Sequence, residues 1–244
     1  MRKMNFKKLL NCASMCALWL SVLSASAEMQ AQTEYRKFYL TLNLSALIIG
    51  DASLGGGGLS FAYMPTQKSL LVLDMNAGGD GSSKKIGEYS YTITTTYTDG
   101  TSKSETYNDG KVTYGYSFFE ATLAYNRLFN VGKKWQLRLG PAIGLLTLTG
   151  SDNYSPTSYN GTEIKGLPKT QPTSKNAVTG GLIAGCTWNF AQRWFVDLNY
   201  RLSVNSTVNF PERNLNLFGD YLYIDSKKFG NIGNRINLSL GFRF

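Results

Sequence analysis

The sequence contains no histidine, and only three cysteines and six prolines among its 244 residues. Without histidine the usual general acid or base near neutral pH is missing, and a carboxylic acid would need a strongly raised pKa to replace it. A metal centre is disfavoured for a related reason, because the carboxylates are scattered along the chain. We therefore expect a protein that is not an enzyme and that carries no metal or other cofactor.

Long apolar runs are also scarce, and the longest lies at the start of the chain. A basic segment over residues 2–8 precedes an apolar stretch over residues 9–23 and a small-residue site at Ala25 to Ala27. This order is typical of a secretory signal peptide cleaved after Ala27, whereas polar residues within the stretch disfavour an uncleaved anchor. No later segment offers about eighteen consecutive apolar residues, which excludes a helical membrane protein. The expected mature domain is residues 28–244.

Two of the cysteines, Cys12 and Cys16, lie within the signal segment, which leaves Cys186 alone in the mature chain. A single thiol forms no internal disulfide, so an exported protein of this kind needs a closed sheet or a large core for its stability. Cys186 falls on the apolar face of its expected strand, and we assign it no role.

The excess of positive charge is small once the signal segment is set aside. The chain has 25 basic and 16 acidic residues, and removing the four cations of residues 2–8 leaves 21 against 16, a net charge of +5. Most of these cations lie in expected turns and loops or alternate with apolar residues. They form no continuous basic face, so nucleic acid is not an expected partner.

After residue 28 the recurring pattern is an alternation of apolar and polar residues, the period of a β-strand with two different faces. Segments of about ten residues with this alternation are typical of outer-membrane β-barrels. The segments, of which the first, fifth, seventh and last are clearest, are residues 38–46, 59–64, 70–77, 118–127, 135–145, 178–190, 194–203 and 236–244.

The polar face of these strands separates a membrane barrel from a soluble one. In a soluble barrel the apolar side chains point inward and the charged face meets water, and a soluble sandwich or lipocalin-like barrel stays the alternative here. The apolar face is almost uncharged, which suits contact with lipid, so the polar face is expected to point into the barrel. The charged residues on that face are Asp74, Glu120, Arg138, Asp197, Arg201, Arg235 and Arg243.

Short and long connections alternate along the chain. Short turns belong on the periplasmic side and long loops outside, so we predict an all-β, eight-stranded antiparallel up-and-down transmembrane β-barrel. Residues 88–98 resemble a ninth strand, but we predict that they continue the third strand and form, with residues 104–116, a two-stranded sheet beyond the membrane. The short connections are residues 65–68, 130–133 and 191–193, and the long ones are residues 49–57, 98–110, 150–175 and 206–230.

Aromatic residues cluster where the strands meet the short turns. Amphipathic rings prefer the headgroup region, so this bias toward one end predicts a girdle at one membrane interface. The residues are Phe38, Tyr63, Tyr125, Trp135, Trp188, Phe190, Trp194, Phe242 and Phe244.

The last nine residues, with Ile236, Leu238, Leu240, Phe242 and Phe244 in alternation, resemble the terminal strand of a known family. This is the family of small eight-stranded outer-membrane proteins, OmpX-like and OmpA-transmembrane-like, in the version common in the Bacteroidetes. The resemblance implies this fold, export to the bacterial outer membrane, and recognition of the terminal Phe by the barrel-assembly machinery. It implies no particular activity, because the functions of the family are heterogeneous.

The candidate site is the set of inward charges on the strands. An eight-stranded barrel is just wide enough to be filled by its own side chains, so buried charges must be paired, which favours a polar plug over a narrow pore. Counting from the short turns places Arg138 with Asp197 in a lower layer, and Glu120 with Arg201 in an upper layer that Asp74 joins.

The outer loops are polar and suggest two classes of function. We expect a non-enzymatic surface barrel that presents its loops for adhesion, interaction or envelope integrity, in contact with outer-membrane lipid and an extracellular ligand. The alternative is a small passive pore or ligand-transport barrel. The candidate loop contacts are Tyr154, Tyr159, Tyr221 and Tyr223.

Overall fold

The computed structural model describes residues 37–80, 84–132, 134–159, 162–164, 167, 170, 172–218 and 220–244. The expected signal segment therefore lies outside the described residues. Within these ranges the regular secondary structure consists of β-strands. The same part of the chain contains no helix long and apolar enough to cross a membrane.

The strands form one closed ring and several short additions at one end of it. The ring order is β1-β2-β3-β5-β6-β9-β10-β15 and back to β1, with antiparallel pairing throughout, so the predicted eight-stranded up-and-down barrel is confirmed. The strands are β1 (Phe38–Ile49), β2 (Ala52–Thr66), β3 (Ser69–Gly79), β4 (Lys84–Thr96), β5 (Ser102–Val131), β6 (Trp135–Ser155), β7 (Ser158–Tyr159), β8 (Thr162–Glu163), β9 (Thr173–Asn189), β10 (Trp194–Asn205), β11 (Val208–Phe210), β12 (Arg213–Leu217), β13 (Asp220–Ile224), β14 (Lys227–Phe229) and β15 (Ile232–Arg243).

Three tight turns, β2–β3, β5–β6 and β9–β10, lie at one end of the ring, which we call the short-turn end, and the opposite end is the long-loop end. The predicted short connections occur as expected. The predicted long loop over residues 49–57 is wrong, because β1 and β2 are joined by a tight turn at Gly50 and Asp51, with Gly50 at φ 60°.

The glycine run that suggested that loop lies inside β2. Gly56 and Gly58 face the backbone of β3 so closely that a Cβ at either position would overlap the carbonyl oxygens of Ala77 and Met75. The close approach of the two strands therefore requires glycine at these two positions of the barrel wall. From composition alone, the glycine run was mistaken for a loop.

The third ring strand continues past the wall, as predicted, because β3 and β4 both pair with β5. The projection differs from the prediction in two ways. The expected loop over residues 98–110 is a tight turn followed by the start of β5, and β6 also extends upward to pair with β5, so the projecting sheet has three strands. The last long connection likewise contains two small sheets, β11–β14 and β12–β13.

The strand faces point as the alternation predicted. On β10, Trp194, Leu198 and Leu202 are exposed on the outer surface, whereas Asp197 and Arg201 are buried in the interior. Cys186 pairs across the sheet with outward-facing Leu198 and is a free thiol, as expected.

The interior has a layered composition that the alternation did not predict. A lower apolar layer lies at the short-turn end, a charged layer lies above it, and an upper apolar layer lies at the long-loop end, where β11 and β14 pack into the mouth. The lower layer is Tyr39, Ala62, Met64, Leu70, Val72, Ala124, Leu128, Ala142, Ile183 and Phe195. The upper layer is Leu47, Ile49, Leu54, Phe118, Leu146, Leu148, Ala177, Val208, Phe210 and Phe229.

Beyond the upper layer, the projecting sheet and the β12–β13 hairpin enclose a third apolar cluster, which we call the cap. One hairpin face packs into this cluster while the opposite face meets solvent. The cap core consists of Tyr89, Tyr91, Val112, Tyr114, Tyr154, Ile164, Leu215, Leu217 and Ile224.

The outer surface of the ring is an apolar belt of defined height. Ten residue steps separate Phe38 from Ile48 on β1, and at about 3.3 Å per step and a tilt of about 40° they rise about 25 Å along the barrel axis, the height of an outer-membrane apolar band. The belt ends sharply, because Thr147 and Thr149 hydrogen-bond to Asn176 and Ser174 on the outer face just above it.

Candidate functional site in the barrel interior

The charged layer is built from inward positions of β3, β5, β6, β10 and β15. Because side chains on a strand alternate between faces, residues two apart line the same interior wall, as Asp197, Asn199 and Arg201 do on β10. All the predicted interior charges lie in the barrel interior, and all but Arg243 lie in this layer. The strand pairing then decides which of them meet.

Arg138 and Asp197 form the lower ion pair, with 2.5 Å between Nη2 and Oδ2. The side chains are 10% and 4% exposed. Thr187 donates a hydrogen bond to the second carboxylate oxygen at 2.6 Å, and Asn199 donates to Oδ2 at 3.0 Å. The carboxylate therefore has several hydrogen-bond donors, as a desolvated charge requires.

Glu120 is the centre of the upper cluster. Arg201 pairs with one of its carboxylate oxygens and Arg235 with the other. Thr179 also contributes, since it accepts a hydrogen bond from Arg201 at 2.8 Å and donates one to Glu120 at 3.4 Å. Two guanidinium groups thus converge on one carboxylate in the middle of the barrel.

The sequence predicts a pair between Glu120 and Arg201, and it places Arg235 on the inward face but in neither layer. The signal was present, because Arg235 lies on the polar face of β15, but only the register of the ring places it directly opposite Arg201. Asp74 is buried in the same layer and interacts electrostatically with both arginines. Asp74 forms no ion pair with these arginines within 4 Å among the described residues. Its predicted place in the upper layer of charges is therefore confirmed, but it does not pair directly with either arginine.

Arg243 occupies the lower apolar layer, below the ion pairs. Its guanidinium carbon lies 4.9 Å from the ring centres of both Tyr39 and Phe195, so the cation is held between two aromatic faces. Such contacts stabilise a desolvated cation without a carboxylate. The sequence placed Arg243 on the inner face but gave no reason to expect the aromatic partners.

Water has little access to this interior. Glu120, Arg201 and Arg235 are 1%, 4% and 3% exposed, whereas a water-filled channel would leave them wet. A cavity of about 20 Å³ lies between the lower apolar layer and the Arg138–Asp197 pair. That volume suits about one water molecule.

A further ion pair lies in the cap, outside the apolar belt, with a buried carboxylate and a half-buried guanidinium group. Arg213 of β12 approaches Asp152 of β6 at 3.5 Å, and the Tyr154 hydroxyl donates to the same carboxylate. Burial, reinforced by Asp152, raises the pKa of Tyr154 above its ordinary value. Tyr154, expected as a surface contact, is therefore a core residue of the cap.

The other tyrosines proposed as loop contacts differ from Tyr154. Tyr221 and Tyr223 are 79% and 52% exposed on the solvent face of β13. The side chain of Tyr159 lies outside the described part of the chain. Phe218, in the turn after β12, has a φ of 53° and stacks on Tyr89 with 5.9 Å between the ring centres.

The terminal strand closes the ring. Ile236, Leu238 and Leu240 face outward, and on the same face Phe242 contacts Trp194 and Phe244 at ring-centre distances of 4.9 and 5.1 Å. The backbone N–H of Phe244 donates to the carbonyl of Phe38 at 2.9 Å. The expected aromatic cluster therefore lies at the short-turn end, on the outer surface.

The described residues contain no group of three or more potential metal ligands. No family model and no curated protein matches the sequence. Solved structures do: the chain is similar to Ail, the attachment invasion locus protein of Yersinia pestis, with 12% identity over 85% of this chain and 97% of Ail and a TM-score of 0.44. It is also similar to the outer membrane protein OprG of Pseudomonas aeruginosa, with 11% identity, coverage of 88% and 99%, and a TM-score of 0.45. A major outer membrane protein of Thermus thermophilus gives 14% identity, coverage of 85% and 99%, and a TM-score of 0.46.

Proposed function

We propose that this protein is a non-enzymatic integral outer-membrane barrel that holds the cap outside the cell and presents its polar faces for adhesion, for interaction or for envelope integrity. The observation that carries the proposal is the closed interior beneath a folded cap. Charges that are buried between two apolar layers, most of them in ion pairs, favour a scaffold over an aqueous path.

The location rests on the outer belt. An apolar surface about 25 Å high, with aromatic rings at one edge and hydroxyl and amide side chains at the other, suits a lipid bilayer of outer-membrane thickness. In this orientation the short turns face the periplasm and the cap faces outward. The proposal includes export by the cleaved signal peptide and delivery by the barrel-assembly machinery.

The surface offered to a partner is the polar exterior of the cap. On the β4–β5 hairpin, exposed hydroxyls pair across the strands, Thr94 with Ser104 at 2.8 Å and Thr96 with Ser102 at 3.0 Å. On β13, Tyr221 and Tyr223 stand on the solvent face. Because the opposite face of the β12–β13 hairpin packs into the cap core, these side chains are held on a defined framework, which reduces the ordering cost of binding.

The orientation is tested by thiol labelling of intact cells in a Cys186→Ser background. Thr94→Cys, at the cap hairpin, should react with a membrane-impermeant maleimide, whereas Lys68→Cys, at a short turn, should react only after the outer membrane is permeabilised. Labelling of both on intact cells, or of neither, contradicts the proposed topology.

Presentation by the cap is tested by replacing residues 90–108 with a two-residue Asn-Gly turn. Barrel insertion should be unchanged, because the removed segment lies above the belt, while cell-to-surface adhesion or resistance to detergent should fall.

Conductance in planar bilayers tests the pore alternative. Stable open conductance from the unaltered protein would favour the pore.

A further inference from the structure

The described side chains at the rim of the short-turn end carry charge of one sign. Five of the described residues there are exposed cations, and none of them forms an ion pair with another described residue. Every carboxylate side chain that the structure describes lies either in the interior or toward the long-loop end. The rim cations are Lys37, Lys68, Arg127, Lys134 and Arg193.

Three of these cations, Lys37, Lys68 and Arg127, border one sector of the wall. The carbonyl of Lys37 accepts a hydrogen bond from Met64 at 2.8 Å, and that of Lys68 accepts one from Leu128 at 2.9 Å, so the β1, β2–β3 and β5 edges are joined there. Arg127 is exposed on the lipid-facing side of β5, opposite Ser69. The three side chains therefore lie at the level where headgroups would meet the barrel.

An apolar groove of about 350 Å³ lies on the outer surface of the same sector. Its size falls at the lower end of the range of about 300 to 1,000 Å³ for ligand pockets. The groove lies within the belt and next to the aromatic contact between Phe38 and Tyr63, whose ring centres are 5.2 Å apart. Its lining includes Phe38, Leu40, Phe61, Leu71, Leu73 and Leu123.

We infer that this sector is a binding site for an anionic glycerophospholipid of the leaflet at the short-turn end. The phosphate group would lie among Lys37, Lys68 and Arg127, and an acyl chain would lie in the groove. Charge complementarity selects this occupant, because unpaired cations directly at a membrane surface attract anionic headgroups, and an apolar groove inside the belt meets acyl chains. The inference rests on the proposed membrane location of the barrel.

The experiment uses the mature chain in phosphatidylcholine vesicles with trace spin-labelled phosphatidylglycerol or spin-labelled phosphatidylcholine. Electron spin resonance then gives the relative association of the two lipids with the barrel. We expect phosphatidylglycerol to be preferred about fivefold, the factor that one lysine or arginine contributes near an anionic surface. High salt should reduce the preference, because exposed charges are screened.

The rim variant carries Lys37→Ser, Lys68→Ser and Arg127→Ser. The matched control removes the same charge at the other end, with Lys111→Ser, Lys175→Ser and Lys228→Ser. The rim variant should lose the preference and the control should keep it. A rim variant that keeps the preference, or a control that loses it equally, overturns the site.

The groove is tested separately by Leu123→Trp, which fills it while leaving all cations in place. This variant should lower the number of motionally restricted phosphatidylglycerol molecules per barrel by about one, and unchanged binding overturns the acyl-chain part of the site.

Heat-modifiable migration on a gel reports insertion in every sample. A barrel that inserts without lipid preference refutes only this inference, whereas failure to insert refutes the membrane location.

Discussion

Glu120 is the single side chain on which the charged layer depends most. It faces Arg201 and Arg235 together, so removing its charge leaves two buried guanidinium groups, whereas removing either arginine leaves the other pair in place. Removing one partner of a buried pair costs about 3 to 5 kcal/mol, although the intact pair contributes little to net stability.

This asymmetry predicts the outcome of a mutant cycle in urea. Glu120→Gln should lower the free energy of unfolding by about 3 to 5 kcal/mol and Arg201→Gln by less, because Arg235 still neutralises the carboxylate. The double variant should be less destabilised than the sum of the single variants. Additive effects would mean that water solvates each group, and together with measurable conductance they would support an open pore.

Two neighbouring residues on β10 should lose different amounts of stability when a charge is added. Leu198 lies in mid-belt between Leu238 and Cys186, so Leu198→Arg should cost about 2 to 4 kcal/mol in a bilayer. Asn199→Arg points to the interior beside Asp197 and should cost less. Unfolding from vesicles measures both, and equal damage at the two sites would contradict the assigned strand faces.

At the scale of the element, glycines in β2 differ in what their missing side chains permit. A Cβ at Gly58 would overlap the backbone of β3, whereas a Cβ at Gly55 meets nothing within 4 Å. Gly58→Ala should therefore destabilise the barrel by about 1 to 3 kcal/mol through overpacking. Gly55→Ala is the matched control and should be nearly neutral in the same urea titration, and similar losses would show that strand approach is not the cause.

The cap should loosen at alkaline pH before the barrel does. Burial raises the pKa of Tyr89, Tyr114 and Tyr154, with Asp152 adding to the effect at Tyr154. Because the folded state favours the neutral phenols, their contribution to stability is complete below the unfolded pKa of about 10 and is lost as the pH rises through the raised values.

Spectrophotometric titration of tyrosine, followed together with near-ultraviolet circular dichroism, measures this loosening. The phenols with raised pKa should ionise over the same pH range in which the near-ultraviolet circular dichroism signal of the cap is lost. Heat-modifiable migration should still report a folded barrel in that range. Tyr154→Phe should remove one late-titrating group. Simultaneous loss of the cap and the barrel would contradict independent opening.

For the whole molecule, assembly depends on closing β15 against β1. We predict that Phe244 is an assembly signal in addition to a packing residue. Its deletion should lower outer-membrane levels while cleavage of the signal peptide continues, and Phe244→Tyr, which keeps an aromatic ring, should retain them. Fractionation followed by immunoblotting measures both, and normal assembly of the deletion variant would leave Phe244 with a packing role only.

The amino-acid sequence by itself determined the strand number, the direction of the faces and the end that carries the aromatic rings. Each follows from local rules, since alternation assigns a side chain to one face and turn length assigns a connection to one end. Local rules also brought Asp197 and Arg138 to the same level, because both lie about four residues above their short turns.

Tertiary structure decided what depends on register and on distant packing. Arg235 meets Glu120 only because the closed ring places β15 beside β10, and Arg243 lies between Tyr39 and Phe195 only because β1 and β10 flank the same strand. The glycine run forms part of a strand because β2 approaches β3 closely at Gly56 and Gly58. Tyr154 is a core residue because the last long connection folds back over β6. The composition and the alternation period of the sequence carry no information on which distant segments meet. The contacts between those segments closed the interior and formed the cap.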